Sequence, residues 1–560
     1  MFSTLSSSFK AIWQLIRPYW FGDDKLRGRL LLATIVGLAL GQVYVTVLIN
    51  RWNNAFYNAL QNKDLPAFWH QIAWFSALAT GFIIIAVYRQ YFMQMLQMRW
   101  RRWMTAEFQA KWLDGQTYYR LLAIYKSTDN PDQRIADDID IFTSSTLTLA
   151  IGLMSSCVTL VSFVTILWGL SGTLSFKVAG VIVHVPGYMV WVALLYAVVG
   201  TWLTHVIGKP LIGLNFNQQK FEADFRFALV RMRENAETIA FYRGEGVEGR
   251  ALGQRFHYIL NNWWAIMLKQ KQLTWFTSAY GQIAIIFPIL VAAPRYFAGG
   301  IQLGGLMQTA SAFGYVQGAL SWFIDVYGQF ATWRAAVNRL TGFKDAMETS
   351  HADARRAKIQ VVHIKGDVLE VEKLSLALPD GTVLRKDINI RLKAGERLRL
   401  EGPSGSGKTT LLRAMAGLWP YGDGQVKIPA GKKVLFIPQR PYLPILPLRD
   451  ILAYPFAADD YSQAEIETAL RAVQLEALVP MLTVAENWSQ RLSLGEQQKI
   501  AFARALLSKP DILLMDEATS ALDKTAEATL YALLVKSLPK AIIVGVSHRD
   551  GHKGETVFAM

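Results

Sequence analysis

The chain has 560 residues, of which 52% are hydrophobic and only 18% are charged, and its formal net charge is +15. Soluble proteins carry about 25% charged residues, so this composition argues against an ordinary soluble enzyme and favours a membrane protein. The length allows two or more domains with a sizeable core. The single cysteine, Cys157, excludes an internal disulfide framework.

Six stretches without charged side chains are long enough to cross a bilayer, whose hydrocarbon core takes roughly 20 helical residues. They are Leu30 to Ile49, Gln71 to Tyr88, Ile141 to Leu170, Val185 to Gly208, Gln272 to Pro294 and Ile301 to Ile324. We therefore predict a membrane domain of six α-helices over residues 1–343.

The positive charges alternate between the connections of these predicted spans. The segment before the first span and the second and fourth connections are rich in Lys and Arg, whereas Lys177 and Arg295 are nearly alone in the third and fifth connections. Cytoplasmic loops of membrane proteins carry such an excess. We predict that the N-terminus and the C-terminal domain are both cytoplasmic. We attribute the net charge to this asymmetry and expect no nucleic-acid partner.

The two long cytoplasmic connections, "MRWRRWMTAEFQAKWLDGQTYYRLL" and "NFNQQKFEADFRFALVRMRENAETIAFY", lack proline and carry apolar residues at helical spacing. We expect continuous helices there, extending the spans beyond the membrane. Residues 344–360 form a polar connector without a strong period, which we interpret as a linker. From residue 361 to 560 the chain alternates short apolar strands, helices and turns, which predicts a soluble α/β domain.

The α/β domain contains a phosphate-binding motif. "GPSGSGKT" follows an alternating strand, precedes a helix and fits G-x-x-x-x-G-K-[ST]. The glycines allow backbone amides to surround phosphates, Lys408 reaches the terminal phosphates, and Thr409 offers a hydroxyl to Mg²⁺. The predicted nucleotide-binding residues of this loop are Gly402, Pro403, Ser404, Gly405, Ser406, Gly407, Lys408, Thr409 and Thr410.

Acidic and polar residues follow three further strands of the same domain. In "DILLMDEATSALD", Asp516 stands at a strand end where it can hold Mg²⁺, and Glu517 is the candidate base for water attack on the terminal phosphate. Gln439 follows the strand "KVLFI", and His548 follows "AIIVGV". Ligands of open α/β sheets bind beyond the carboxyl ends of strands, so we place all four in the site.

A second phosphate-binding feature lies in "RLSLGEQQKIAFARALL", which is a polar turn running into a helix. Ser493 and Gly495 stand where the first free backbone N–H groups of that helix point outward. A helix start of this kind is a ready site for an anion.

These motifs together resemble the nucleotide-binding domain of ABC transporters. Residues 402–409 match the Walker A motif, Gln439 the Q-loop, 492–496 the signature, 512–517 Walker B, 520–523 the D-loop and His548 the H-loop. The resemblance implies that ATP and Mg²⁺ are the cofactors. It implies catalytic roles for Glu517, His548 and Lys408, magnesium contacts from Thr409, Gln439 and Asp516, and nucleotide contacts from Ser493, Gly495 and Glu496.

The membrane half resembles the half-transporters that unite peroxisomal acyl-CoA transporters with the bacterial SbmA/BacA-like proteins. The resemblance rests on "NPDQRIADDID", "FRFALVRMRENAETIAFYRGE" and "WFIDVYGQFATWRAAVNRLTGF". It implies the six-span exporter fold, coupling helices in the long loops, and a homodimer. The expected function is ATP-driven transport of an amphipathic or hydrophobic small molecule or peptide across the lipid bilayer of the bacterial inner membrane. An ATP-gated channel or a membrane sensor is the alternative.

Three positions depart from the usual ABC pattern. Leu494 and Glu496 replace a glycine and a glutamine of the signature, and Leu378 stands where ABC domains offer an aromatic ring to adenine. Losing such a ring costs roughly 1–3 kcal/mol by analogy with other base-stacking sites, so modest ATP affinity is expected unless another aromatic substitutes.

Few polar residues are available to line a translocation path. Asp325 ends the sixth apolar stretch, while Gln42, Gln282 and His205 lie in or near others. An ionisable residue at membrane depth is a functional candidate. For Asp325, an ion pair or an interfacial position is the alternative.

Overall fold

A computed structural model describes residues 2–22, 24–125, 130–178, 181–355, 358–547 and 554–560. The chain divides into two compact units. The first comprises Met1–Tyr118 and Lys126–Met347, and the second comprises Tyr119–Tyr125 and Glu348–Met560. The first unit is built from long helices, and the second contains nearly all of the sheet structure.

The first unit contains long helices and one hairpin. Its α-helices are α1 (Phe2–Phe21), α2 (Lys25–Gln61), α3 (Leu65–Leu113), α4 (Thr117–Tyr119), α5 (Pro131–Gln133), α6 (Ile139–Ser171), α7 (Tyr188–Glu234), α8 (Ala236–Tyr242), α9 (Glu245–Phe297), α10 (Leu303–Asp325) and α11 (Tyr327–Arg355), of which α4 and α11 end in residues of the second unit. Strands β1 (Thr173–Val178) and β2 (Val181–Pro186) pair antiparallel between α6 and α7. Long helices extend through most of the two predicted connections, because α3, α7 and α9 continue through 49, 47 and 53 residues. The predicted continuity is wrong at two places: the first connection is interrupted at Gly115, whose φ is 52°, and the second at Asn235, between α7 and α8.

Within the described part of the chain, five helical segments are long and apolar enough to cross a membrane, rather than the six predicted. The sixth predicted stretch does form a helix, α10, but Gln308, Thr309 and Gln317 lower its hydropathy. Gln308 and Thr309 are buried, as are Ala312 and Phe313. Helix α10 packs against α2, α6, α7 and α9, so much of it faces protein and can carry polar groups that lipid would not accept.

The structure differs from the sequence prediction at the start of the fourth span and in the first part of the linker. The fourth span was expected to begin at Val185, but that residue lies in β2. Helix α7 begins after Gly187, whose left-handed backbone conformation, with a φ of 62°, separates the strand from the helix. The first part of the predicted linker is helical, because α11 continues to Arg355. The sequence after Gly342 contains no glycine or proline before that point, and Phe343 and Met347, one turn apart, are both buried.

The second unit consists of two sheets and the helices around them. Its strands are β3 (Ile359–Ile364), β4 (Val368–Ala377), β5 (Val383–Lys393), β6 (Arg397–Glu401), β7 (Gly422–Pro429), β8 (Val434–Ile437), β9 (Ile512–Asp516), β10 (Ile542–Val546) and β11 (Thr556–Ala559). Its helices are α12 (Lys408–Met415), α13 (Leu448–Ala453), α14 (Gln463–Ala472), α15 (Trp488–Arg491), α16 (Leu494–Ser508) and α17 (Lys524–Ser537). The larger sheet is parallel with the order β11-β6-β10-β9-β8, and the other has the order β3-β7-β4-β5.

Alternating residues of the parallel sheet enter two different hydrophobic cores. In β9, Ile512 and Leu514 pack with α12, whereas Leu513 and Met515 pack with α16. Successive side chains of a strand point to opposite faces, so α12 and α16 cover opposite faces of this sheet. The helices that follow the phosphate loop and the signature therefore lie on opposite faces of the sheet within one chain.

Candidate nucleotide-binding site

The phosphate loop connects β6 to α12, and its glycines adopt backbone conformations that other residues rarely tolerate. Gly402, Gly405 and Gly407 have φ angles of 152°, 82° and 96°. A Cβ at Gly402 would also lie 2.8 Å from a backbone oxygen of Met560, while a Cβ at Gly405 would meet nothing within 4 Å. The loop is therefore closely packed against neighbouring atoms at Gly402 and exposed at Gly405. A loop that binds phosphate through its backbone N–H groups needs both features.

Lys408 and Ser406 face the interior of this loop. The Lys408 side chain is 7% exposed, and its Nζ donates to the carbonyl oxygens of Gly402, at 2.7 Å, and Pro403, at 2.9 Å. The Ser406 Oγ is buried without a hydrogen-bond partner among the described residues. A buried cation and an unsatisfied hydroxyl beside open backbone amides fit a polyphosphate. Thr410 is half-buried, and Ser404 is exposed.

Thr409 and Asp516 form the candidate magnesium site. The Thr409 Oγ1 donates to Asp516 Oδ1 at 2.9 Å, which joins the first turn of α12 to the end of β9. Burial raises the pKa of the Asp516 carboxyl, the Thr409 hydrogen bond lowers it, and the charge of Glu517 raises it. A paired hydroxyl and carboxylate are oxygen ligands of the kind that Mg²⁺ prefers, so these residues fit the predicted ion.

Glu517 and Gln439 meet beside this pair. Glu517 has a φ of 47°, its N–H donates to the Val546 carbonyl oxygen at 3.2 Å, and its Oε2 accepts from Gln439 Nε2 at 2.9 Å. Such a left-handed backbone is uncommon outside glycine and persists where neighbouring structure holds it. The predicted base and the predicted Q-loop residue are therefore brought together. His548 lies outside the described residues.

The signature residues form a local cap. Ser493 is the N-cap of α16, and the Glu496 N–H donates to Ser493 Oγ at 3.3 Å. The Glu496 carboxylate in turn accepts from the Ser493 N–H, at 2.9 Å, and from Ser493 Oγ, at 2.8 Å. This reciprocal capping box gives Glu496 a clear structural role at the position where the usual pattern has glutamine. The Gly495 Cβ position lies 3.2 Å from the Ala521 carbonyl oxygen, which explains the retained glycine.

Sequence reasoning missed Gln498, which is completely buried in α16. Its Nε2 donates to the Gln439 carbonyl oxygen, at 3.0 Å, and to Ser520 Oγ, at 3.1 Å. Its Oε1 accepts from the Ala521 N–H at 3.0 Å. The signal was available: Gln498 shares helical spacing with the buried Ala501, so it is an amide on an otherwise apolar face.

Two aromatic residues lie close to the predicted adenine position. Leu378 follows Ala377 at the end of β4. The Trp419 Nε1 donates to the Ala377 carbonyl oxygen at 2.9 Å, and the Ala377 N–H donates to the Tyr421 carbonyl oxygen at 3.2 Å. These rings are candidates for the aromatic contact that Leu378 does not provide.

Comparison with known proteins identifies both halves. Residues 15–297 match the family described as ABC transporter transmembrane region 2, and residues 385–520 match the family described as ABC transporter. Over 93% of its length the chain is similar in fold to a structure of a bacterial Atm1-family ABC exporter with ATP bound. It covers 91% of that chain at 16% identity, with a TM-score of 0.71.

Several curated relatives are similar over nearly the whole chain. The inner membrane ABC transporter ATP-binding protein YddA of Escherichia coli is 34% identical, covering 96% of this chain and 94% of its own length. ABC transporter D family member 2, chloroplastic, of Arabidopsis thaliana is 34% identical, with 94% and 83% covered. The human lysosomal cobalamin transporter ABCD4 is 26% identical, with 94% and 89% covered. The chain therefore belongs to the ABC transporters, as a half-transporter in which a helical membrane region precedes the ATP-binding domain.

Proposed function

We propose that the chain is an ATP-driven half-transporter that works as a homodimer in the bacterial inner membrane, with its N-terminus and ATP-binding domain in the cytoplasm. The observation that carries the ATPase proposal is the assembly of Lys408, Thr409, Asp516, Glu517 and Gln439 at the carboxyl edge of one sheet. The inner-membrane location is supported by the similarity to YddA, an inner membrane ABC transporter ATP-binding protein, and by the alternation of positive charge between the connections of the predicted spans.

The proposed chemistry assigns a task to each residue. Lys408 and the amides of the phosphate loop bind and orient the terminal phosphates. Thr409 and Asp516, with Gln439, would hold Mg²⁺, which when bound neutralises charge on the phosphate oxygens. The Glu517 carboxylate takes or orients the proton of the attacking water, and we assign His548 to support the same step. Ser493, Gly495 and Glu496 form the helix start that contacts nucleotide in the dimer.

The homodimer is supported by the position of α12 and α16, the helices that follow the two phosphate-binding motifs, on opposite faces of the parallel sheet. One chain has one phosphate loop and one signature helix, so a single site needs a signature from a second chain. A two-fold dimer completes both sites with the same contact. Lys408 of one chain and Ser493 of the other would then face the same nucleotide.

The substrate proposal is broader. We propose an amphipathic or hydrophobic small molecule or peptide that enters from, or passes beside, membrane lipid. The human relative is named for cobalamin, which supports a cargo larger than a simple ion. An ATP-gated channel would retain the same ATPase site. A transporter is favoured, because Glu517 is placed for repeated hydrolysis rather than for nucleotide sensing alone.

A mixed-dimer experiment tests shared sites. Lys408→Ala and Ser493→Arg, each expected to be inactive alone, are co-expressed with different tags, and dimers carrying both tags are purified. One site then has both defects, while the other combines an intact Lys408 with an intact Ser493. We expect part of the ATPase activity to return.

The alternatives give distinct outcomes. Absence of recovery in verified mixed dimers would contradict the shared site, and activity from a proven monomer would exclude it. Reconstituted liposomes then separate transport from gating. A transporter accumulates labelled substrate against a gradient with ATP, whereas a channel only equilibrates it.

A further inference from the structure

The buried amide of Gln498 is part of a closed ring of hydrogen bonds. Gln439 donates through its side chain to Glu517 and accepts through its carbonyl oxygen from Gln498. Gln498 accepts from the Ala521 N–H, and the Ser520 N–H donates to the Glu517 carbonyl oxygen at 3.1 Å. The ring therefore joins the candidate base, the segment of Gln439 and the turn after Glu517.

The same side chain fixes the signature helix to that ring. Gln498 lies in α16, five residues after Ser493, the N-cap of the helix. With 0% exposure, its two donors and its acceptor are all satisfied across segments distant in sequence. A fully satisfied buried polar network holds its members in one arrangement, whereas a partly satisfied one is costly.

The next residue in the chain offers a contrast. Gln497 uses its Nε2 to donate to the carbonyl oxygens of Ser489, at 2.9 Å, and Leu492, at 2.8 Å. Both acceptors lie in the short segment that leads into α16. Gln497 thus stabilises the local start of the helix, while Gln498 connects that helix to the hydrolytic residues.

We propose that Gln498 is a positioning residue that makes the two ATP sites of the dimer change together. The proposal rests on the homodimer put forward above. Each chain would supply Glu517 and Gln439 to one site and Ser493 to the other. When one site hydrolyses ATP, a movement of Gln439 or of the Ser520–Ala521 turn would shift α16. The shift of α16 would move Ser493, which the chain supplies to the opposite site.

The test compares two neighbouring glutamines in the full chain, reconstituted in lipid nanodiscs. Gln498→Met keeps approximate side-chain volume and removes all three cross-segment hydrogen bonds, whereas Gln497→Met removes only local ones. Initial rates of phosphate release across ATP concentrations give kcat, KM and the Hill coefficient. The number of bound fluorescent ATP analogues per chain gives the folded fraction, by which kcat is corrected.

We expect the corrected kcat of Gln498→Met to fall by about tenfold or more, because misplacing a catalytic group by about 1 Å can lower the rate by about a hundredfold. KM should stay within about threefold, and the Hill coefficient should fall to unity, because the sites no longer report to each other. Gln497→Met should retain the parent kcat and Hill coefficient. A structural role alone would lower the folded fraction and leave the corrected kcat and cooperativity unchanged.

A second variant keeps the proposal falsifiable if Gln498→Met does not fold. Ser520→Ala removes one exposed hydroxyl acceptor of Gln498 and should lower the Hill coefficient partway. The inference is overturned if the corrected kcat and Hill coefficient of the Gln498 variant, or the Hill coefficient of the Ser520 variant, equal those of Gln497→Met. It is also overturned if the parent dimer hydrolyses ATP without cooperativity, a result that leaves the proposed ATPase intact. A parent chain without ATPase activity would instead refute the proposed function.

Discussion

Glu517→Gln is the sharpest perturbation of the proposed chemistry, because it changes one carboxylate oxygen and little else. The amide has nearly the same volume, and its oxygen can still accept the hydrogen bond that Gln439 Nε2 now donates at 2.9 Å. The left-handed backbone at this position is also held by the Val546 carbonyl oxygen, which the substitution does not touch. The site should therefore keep its geometry and its ATP affinity.

What the variant loses is the ability to take a proton. General-base catalysis contributes about 10²–10⁴-fold, equivalent to about 3–5 kcal/mol of transition-state stabilisation. We expect kcat to fall by that factor while KM changes less than about threefold. Phosphate release from the purified chain in nanodiscs measures the rate, and equilibrium binding of a fluorescent ATP analogue measures affinity.

The matched control is Glu476→Gln, which makes the same chemical change at an exposed glutamate in the same unit. It should leave kcat within about twofold of the parent, as remote surface substitutions usually do. If Glu517→Gln kept more than about a tenth of the parent turnover, below the smallest loss typical of a base, the assignment would be wrong. Weakened binding with unchanged turnover would instead assign Glu517 to nucleotide contact.

Three further predictions address topology, ionisation and helix packing. The topology is tested in a chain whose one cysteine is replaced by serine. Thr173→Cys, in the third connection, should react with an impermeant thiol reagent added to spheroplasts, and Gln116→Cys, in the second connection, which we predict to be cytoplasmic, should not. External labelling at position 116 would refute the predicted topology. Asp516→Asn should raise the apo unfolding temperature at pH 7.5. Burial raises the pKa of the Asp516 carboxyl in the folded chain above its value in the unfolded chain. The protonated carboxyl therefore contributes its full stability below the unfolded pKa, and this contribution is lost as the pH rises through the folded pKa. At pH 7.5 the partly buried carboxylate is charged, whereas the amide of the variant is neutral. The same variant should lose the extra stabilisation by Mg²⁺ with ATP, and an unchanged apo temperature would contradict the raised pKa. Gly304→Ala should destabilise the helical unit by about 1–3 kcal/mol, because its Cβ would lie 2.0 Å from a backbone oxygen of α2. Gly305→Ala is the control and should not destabilise it, because the nearest atom to its Cβ lies at 3.5 Å. Equal melting temperatures of the two variants would refute the packing argument.

Much of the ATP site follows from the sequence. The spacing from Gly402 to Thr409 fixes a loop between a strand and a helix, and its glycines need φ angles that few other residues adopt. The apolar run ending at Asp516 likewise predicts a buried strand with a carboxylate at its carboxyl edge. Local chain geometry determines these features, so a linear pattern is sufficient to find them.

Sequence periodicity also located the long helices, but it misjudged their ends and their surroundings. The mean hydropathy of α10 is too low to mark this helix as a membrane span. The helix can carry Gln308 because this residue is enclosed by protein, where it forms hydrogen bonds with Asn50 and Asn54. Whether a polar residue faces lipid or a partner amide is a property of the packed bundle. Hydropathy averages over that difference, so composition alone cannot assign it.

Tertiary structure alone decided which distant residues act on one another. The spacing in the sequence does not show that the buried amide of Gln498 bonds to both Gln439 and Ala521, since these partners lie 59 and 23 residues away from it. The same holds for the placement of α12 and α16 on opposite faces of a sheet. The sequence determined the local conformation of each motif, because backbone sterics and capping act over a few residues. The pairing of motifs depends on strand order and on which side chains close the core, and those are settled only when the whole domain folds.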